Sequence, residues 1–96
     1  ANGVEAIIVS RNNRVRLLGT KRKDITIFKD EYKYVSLIPM SDVVSGITTN
    51  GMKWNLSNFD FKMDENISLG VSNEIVGQQA EIHIDSGTLI LIESND

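Results

Sequence analysis

The feature that most constrains this chain is its apolar rhythm. Apolar residues recur at every second position in short runs, and the helical spacing of i, i+3, i+4 and i+7 is hard to find anywhere. Ala80, Ile82 and Ile84 alternate with Glu81, His83 and Asp85; Phe59, Phe61 and Met63 alternate with Asp60 and Lys62; Ile67, Leu69 and Val71 alternate with Ser68, Gly70 and Ser72. Successive side chains of a strand point to opposite faces, so each run predicts a half-buried strand. Two runs are apolar on both faces, Val35–Ile38 and Leu89–Ile92, and are expected in the interior of a sheet. Pro39 cannot donate a ladder hydrogen bond and should end its strand.

Turn signals separate the runs every 8–12 residues. Arg11-Asn12-Asn13 should join a strand at Glu5–Ser10 to one at Arg14–Leu18, with Val15 and Leu17 on one face and Arg14 and Arg16 on the other. Further strands are expected at Asp24–Phe28, Tyr32–Met40 and Val43–Thr49, with a fraying end at Ser94-Asn95-Asp96. The sum is nine or ten short strands in residues 1–96, a single all-β domain. The expected fold is an antiparallel β-sandwich, jelly-roll-like. Ninety-six residues can bury about two-thirds of their extended surface, enough for a core without staples.

Several chemistries are excluded or unsupported. There is no cysteine, hence no disulfide or thiolate metal site, which fits a reducing compartment without requiring one. His83 is the single histidine, on the polar face of its strand, and is expected to be solvated. Asp60, Asp64 and Glu65 read as solubilising carboxylates. No apolar run approaches the ~20 residues of a membrane span, and Ile7-Ile8-Val9 is too short for a signal peptide. The two glycosylation acceptor patterns at Asn55 and Asn66 therefore lack a secretory context. The opening Ala1-Asn2-Gly3, without methionine, suggests a processed or excised chain.

Charge is uneven. Residues 1–23 carry Arg11, Arg14, Arg16, Lys21, Arg22 and Lys23 against Glu5 alone, a balance of +5, whereas the whole chain is at −3. Such an end reads as a solvated hairpin, or alternatively as the footprint of a small nucleic-acid-binding β-barrel. No aromatics are interleaved with these cations, which favours the first.

The richest stretch is Gly46–Leu56. Asn50-Gly51 predicts a two-residue type I′ turn, because that dipeptide best tolerates positive φ. Met52, Trp54 and Leu56 should then share one strand face, with Lys53 and Asn55 on the other. A lone tryptophan on an apolar strand face is ordinarily core. Placed beside a tight turn, a cation and an amide, it can instead offer a flat ring face to a ligand. Gly70–Glu74 is a second polar cluster that should end a strand, with Ser72 and Asn73 as hydrogen-bonding groups.

Together these stretches carry a resemblance. Gly46-Ile47-Thr48-Thr49-Asn50-Gly51-Met52-Lys53-Trp54-Asn55-Leu56 resembles the Gly-x-Thr-x-x-Gly-x-Lys-Trp-x-Leu segment of thiamine pyrophosphokinases. Gly70-Val71-Ser72-Asn73-Glu74 is similar to the Ser-Asn-Glu segment of bacterial members. Tyr34–Pro39 and Gly87–Ile92 resemble the flanking strands, and Asn13–Leu18 matches less closely. The chain departs from the pattern at Asp64-Glu65, where many relatives have glycine, and at Gly70, where animal-type members commonly have serine.

The resemblance implies a two-domain cytoplasmic enzyme. An N-terminal α/β domain, absent from this chain, would bind ATP and Mg2+. A C-terminal β-sandwich would bind thiamine and build a homodimer. The diphosphoryl group of ATP would pass to the thiamine hydroxyl, and each site would lie between the α/β domain of one subunit and the sandwich of the other. On this reading the chain is the sandwich and holds no catalytic group and no cofactor of its own. Its expected thiamine-binding residues are Trp54, Ser72, Asn73, Thr49, Gly51, Lys53 and Asn55, with no nucleic acid and no membrane as partner.

Overall fold

The computed structural model describes residues 8–9, 12–62 and 71–95. It contains nine strands among them: β1 (Ile8–Val9), β2 (Asn13–Leu18), β3 (Asp24–Phe28), β4 (Tyr34–Pro39), β5 (Val43–Asn50), β6 (Phe59–Lys62), β7 (Val71–Glu74), β8 (Gln79–His83) and β9 (Leu89–Ser94). Among the described residues no helix is long and apolar enough to cross a membrane.

Period-two patterning fixes which side of each strand turns inward. Along β9 burial alternates strictly from Leu89 to Ser94, and along β4 it alternates from Tyr34 to Pro39. Neither short sheet face can be left in water, so the two apolar faces stack. The strand orders are β1-β2-β9-β4-β7 and β3-β8-β5-β6, and every pairing is antiparallel. The pairs β5–β6, β4–β7, β3–β8 and β2–β9 nest inside one another. That is a single long hairpin rolled up so that β9 meets β4 and β8 meets β5, the jelly-roll winding. As expected from their two apolar faces, β4 and β9 each have a neighbour on both sides.

One core lies between the sheets. It contains Leu18, Val35, Leu37, Leu89 and Leu91 from the first sheet and Ile25, Ile27, Val44, Ile47, Phe61, Ala80 and Ile82 from the second. The bend in β5 between Val44 and Ile47 is a register shift, and it falls at Gly46, whose φ is 64°.

Residues 71–74 form β7, which pairs with β4 from Tyr34↔Glu74 to Leu37↔Val71 and ends at Glu74, as expected of this polar stretch. Three expectations are corrected. Ser94 is the last residue of β9, paired with Asn13 and Tyr34, and Asn95 is held by bonds to Glu31 O and Lys33 N–H. Arg14 and Arg16 do not face solvent. They lie in register with Glu93 and Leu91 on the inner side of the first sheet, and both bond the enclosed Glu93 carboxylate. Finally, β5 and β6 are joined by residues 51–58 rather than by a two-residue turn. Of that expected turn, Gly51 alone has positive φ, and Asn50 continues β5 opposite Glu81. Expected strand residues at 63–70 lie outside the described residues.

Candidate functional site

At the end of β5 the backbone must leave its sheet. Gly51 makes this possible with φ 82°, and a Cβ there would overlap the carbonyl oxygen of Gln79. Its own carbonyl accepts from Val76 N–H at 2.9 Å and Gly77 N–H at 3.2 Å. The chain therefore crosses to the edge of the other sheet instead of folding straight back. Met52 bridges to Ile75 and is buried, and Lys53 N–H donates to Glu74 O at 2.8 Å. Residues 51–54 are thus docked along 73–77, and the loop ties the two sheets together.

The far side of the loop is closed by side chains. Thr49 N–H donates to Leu56 O at 2.9 Å, and Leu56 N–H returns a bond to Thr49 Oγ1 at 2.9 Å. Thr49 Oγ1 donates to Asn55 Oδ1 at 3.2 Å, which also accepts Met52 N–H at 3.0 Å. Asn58 N–H bonds Thr48 Oγ1 at 3.1 Å, with Asn58 at φ 50°, a conformation asparagine tolerates.

This frame decides where the tryptophan goes. Met52 is inside, Leu56 is half-buried against the core, and Trp54 is 59% exposed, so the expected shared strand face does not exist. The Trp54 indole stands on the surface with the Lys53 ammonium 4.9 Å from its ring centroid. Trp54 N–H donates to Asn73 Oδ1 at 3.2 Å, and Asn73 Nδ2 donates to Trp54 O at 2.6 Å. Asn73 is 4% exposed and pairs with Val35 on the inner face of the first sheet.

The expected site residues therefore divide. Trp54, Lys53 and Asn55 are exposed at one end of the sandwich, whereas Thr49 and Asn73 are buried beneath them and Gly51 turns the chain. Ser72 is placed by its backbone, opposite Ser36. An open groove of about 690 Å3 adjoins this end, lined by Phe28, Lys29, Asp30, Val76, Gly77, Gln78 and Gln79. It shares Val76 and Gly77 with the anchor of Gly51.

Two charged clusters escaped the sequence reading. Glu93, 0% exposed, accepts from Arg14 Nη2 and Arg16 Nη2 at 2.7 Å and from their Nε atoms at 3.2 and 2.8 Å. Arg14 also lies 4.7 Å over the Tyr32 ring and 3.7 Å from Glu31. Its guanidinium is held more firmly protonated than usual, first through the Glu93 hydrogen bond. The signal was present, since Glu93 continues the inward rhythm of Leu89 and Leu91. These bonds also remove Arg14 and Arg16 from the basic footprint. Lys23 is engaged too, its Nζ donating to Asp85 O at 2.7 Å.

The second cluster is His83, expected to be solvated. Nδ1 meets Asp24 Oδ1 at 2.7 Å and Nε2 meets Asp85 Oδ1 at 2.8 Å. The two carboxylates raise its pKa above 6.5, Asp85 most. Asp60, read as solubilising, accepts Gly46 N–H at 3.1 Å and so supports the bend of β5. Among the described residues no group of three or more His, Asp, Glu or Cys side chains could hold a metal ion.

Comparison with known proteins places this geometry. Residues 22–89 match the family model described as thiamin pyrophosphokinase, vitamin B1 binding domain. The chain is 30% identical over 90 residues to thiamine pyrophosphokinase of Bacillus subtilis (strain 168), covering 93% of this chain and 40% of that protein. It superposes on the crystal structure of thiamin pyrophosphokinase from Geobacillus thermodenitrificans with a TM-score of 0.78 and 30% identity, and on that from Bacillus subtilis with 0.78 and 28%. In both cases 92% of this chain and 40% of the other is covered. The chain thus spans about 40% of the length of these relatives. With more than half of its residues matched by the family model, the chain belongs to the thiamin pyrophosphokinase vitamin B1-binding domain family.

Proposed function

We propose that this domain supplies the thiamine side of a thiamine pyrophosphokinase site. In the full enzyme the diphosphoryl group of ATP passes to the thiamine hydroxyl, giving thiamine diphosphate and AMP. On this reading Mg2+ and ATP are bound by the α/β domain of the full enzyme. Phosphoryl transfer depends on positioning and charge neutralisation, and the work of this domain is positioning. It also contributes to a homodimer in which the site faces the α/β domain of the other subunit.

The observation that carries this reading is the exposed indole of Trp54. Leaving the chain's only tryptophan in water forfeits the burial of a large apolar side chain, which makes a ligand its natural cover. Lys53 already sets one positive charge over the ring. Thiamine has a neutral aminopyrimidine and a cationic thiazolium, and like charges repel. The ring stacked on Trp54 is therefore the pyrimidine, with the thiazolium turned away. Ser72 is assigned to the thiamine side as well, Asn73 supports Trp54 from beneath, and Thr49, Gly51 and Asn55 give the loop its shape.

The test begins with the domain alone. Titration with thiamine should quench Trp54 emission saturably, and an equal concentration of a simple quaternary ammonium salt should not. In the full-length enzyme, Trp54→Ala should raise KM for thiamine about tenfold, the value of one desolvated ring contact, and leave KM for ATP within about twofold. Equal losses for both substrates would make Trp54 a structural residue.

A further inference from the structure

The carboxamide of Asn73 is almost fully spent inside the protein. Its oxygen accepts from Trp54 N–H at 3.2 Å and from Glu74 N–H at 2.9 Å, and its nitrogen donates to Trp54 O at 2.6 Å. A primary amide has two acceptor sites and two donor hydrogens, so one N–H remains. With 4% exposure, that group has little reach toward a ligand.

What the carboxamide does instead is bond both peptide groups of one residue. Trp54 lies in a loop and has no strand neighbour to take its N–H and C=O. Asn73 supplies the missing donor and acceptor together, as a paired strand would. The adjoining contacts, Lys53 N–H to Glu74 O and the antiparallel Met52–Ile75 bridge, continue the same register. The anchor itself is firm, because Asn73 stands in β7 opposite the buried Val35, and Val35 stands opposite Glu93 and its two arginines.

We propose that Asn73 is a positioning residue for Trp54: its carboxamide clamps the Trp54 peptide and holds the indole outward as a preorganised stacking surface. The inference rests on reading Trp54 as the thiamine-stacking residue, but the clamp itself can be measured without thiamine. A fixed ring does not lose mobility on binding, and a free one does, so the clamp shows as affinity.

The sole tryptophan reports directly. Time-resolved fluorescence anisotropy of the isolated domain should show a slow, whole-molecule decay for the native indole. Asn73→Ala removes all three bonds. Asn73→Asp is the gentler variant: it keeps both N–H acceptors and sets an anionic oxygen against Trp54 O. Both should add a fast local decay while the β-sheet circular dichroism is kept. Thiamine binding should weaken about three- to tenfold. Val35→Ala, in the same cross-sheet row, should lower the melting temperature without adding the fast decay.

An unchanged decay in folded Asn73→Asp would overturn the clamp. So would loss of the sheet signal in both variants, which would make Asn73 a support of the whole sandwich. A fast decay in the variants, with a native domain whose emission ignores thiamine, would uphold the clamp and remove the thiamine reading beneath it.

Discussion

Glu93 is a fully enclosed carboxylate, and the two guanidiniums that bond it explain its survival in the core. Desolvating a charge costs several kcal/mol unless partners and hydrogen bonds offset it. Here four hydrogen bonds do so, and no buried side-chain nitrogen or oxygen among the described residues lacks a partner. Glu93→Gln keeps the shape and removes the charge, leaving two mostly buried cations facing a neutral amide. It should destabilise the domain by about 3 kcal/mol, read from the urea denaturation midpoint at unchanged m-value. His83 makes the opposite kind of prediction. Its pKa is raised in the folded state by Asp85 and Asp24, with Lys23 bonded to the backbone of Asp85 and Thr48 paired beside it on β5. A group with a raised folded pKa contributes fully below its unfolded pKa, and the contribution is lost as pH rises through the folded value. Melting temperature should therefore fall as pH climbs from near 6.5 upward, by a small amount because the cluster is open to solvent. His83→Gln should flatten that part of the profile; an unchanged slope would assign it to other groups.

At the scale of elements, the loop of residues 51–58 matters most, because it links the sheets and carries Trp54. Its geometry turns on Gly51. The positive φ and the blocked Cβ position act together, so Gly51→Ala should cost about 2–3 kcal/mol and red-shift or broaden Trp54 emission as residues 52–54 lose their docking on 73–75. A variant melting like the native domain would show that the loop relaxes around a methyl group. The same loop shows how much an element reveals of itself. Asn50-Gly51 correctly marks the end of β5, because the positive φ of Gly51 turns the chain out of the sheet there. Whether the chain then folds back or crosses to the other sheet depends on Val76, Gly77 and Glu74, more than twenty residues away in sequence. Strands with two apolar faces were easier, because burial on both sides leaves one place for them: β4 and β9 are inside their sheet.

The whole molecule is a jelly roll that spans about 40% of its relatives' length. Its two polar anchors, Glu93 and Asn73, sit in one row across the first sheet, separated by Val35. The end of the sandwich that carries Trp54 is therefore built on a base in which each buried side-chain nitrogen and oxygen among the described residues has a partner. On the proposed division of labour this domain orients a substrate and performs no transfer. Incubated alone with ATP, Mg2+ and thiamine, it should form no thiamine diphosphate above background by chromatography; turnover would place reacting groups within these 96 residues.

The sequence by itself determined the all-β class, most strand positions, the inward residues of most strands and the segments that carry the family. These follow from local rules, since period-two patterning and turn chemistry act over a few residues. Tertiary structure alone decided that Arg14 and Arg16 turn inward, that Trp54 stands in solvent, and that Asn73 grips the backbone beneath it. Each depends on a partner far along the chain, Glu93 for the arginines and β7 for the loop. A charge or an amide is stable inside only when such a partner arrives, and rolling up the sheet is what brings it there.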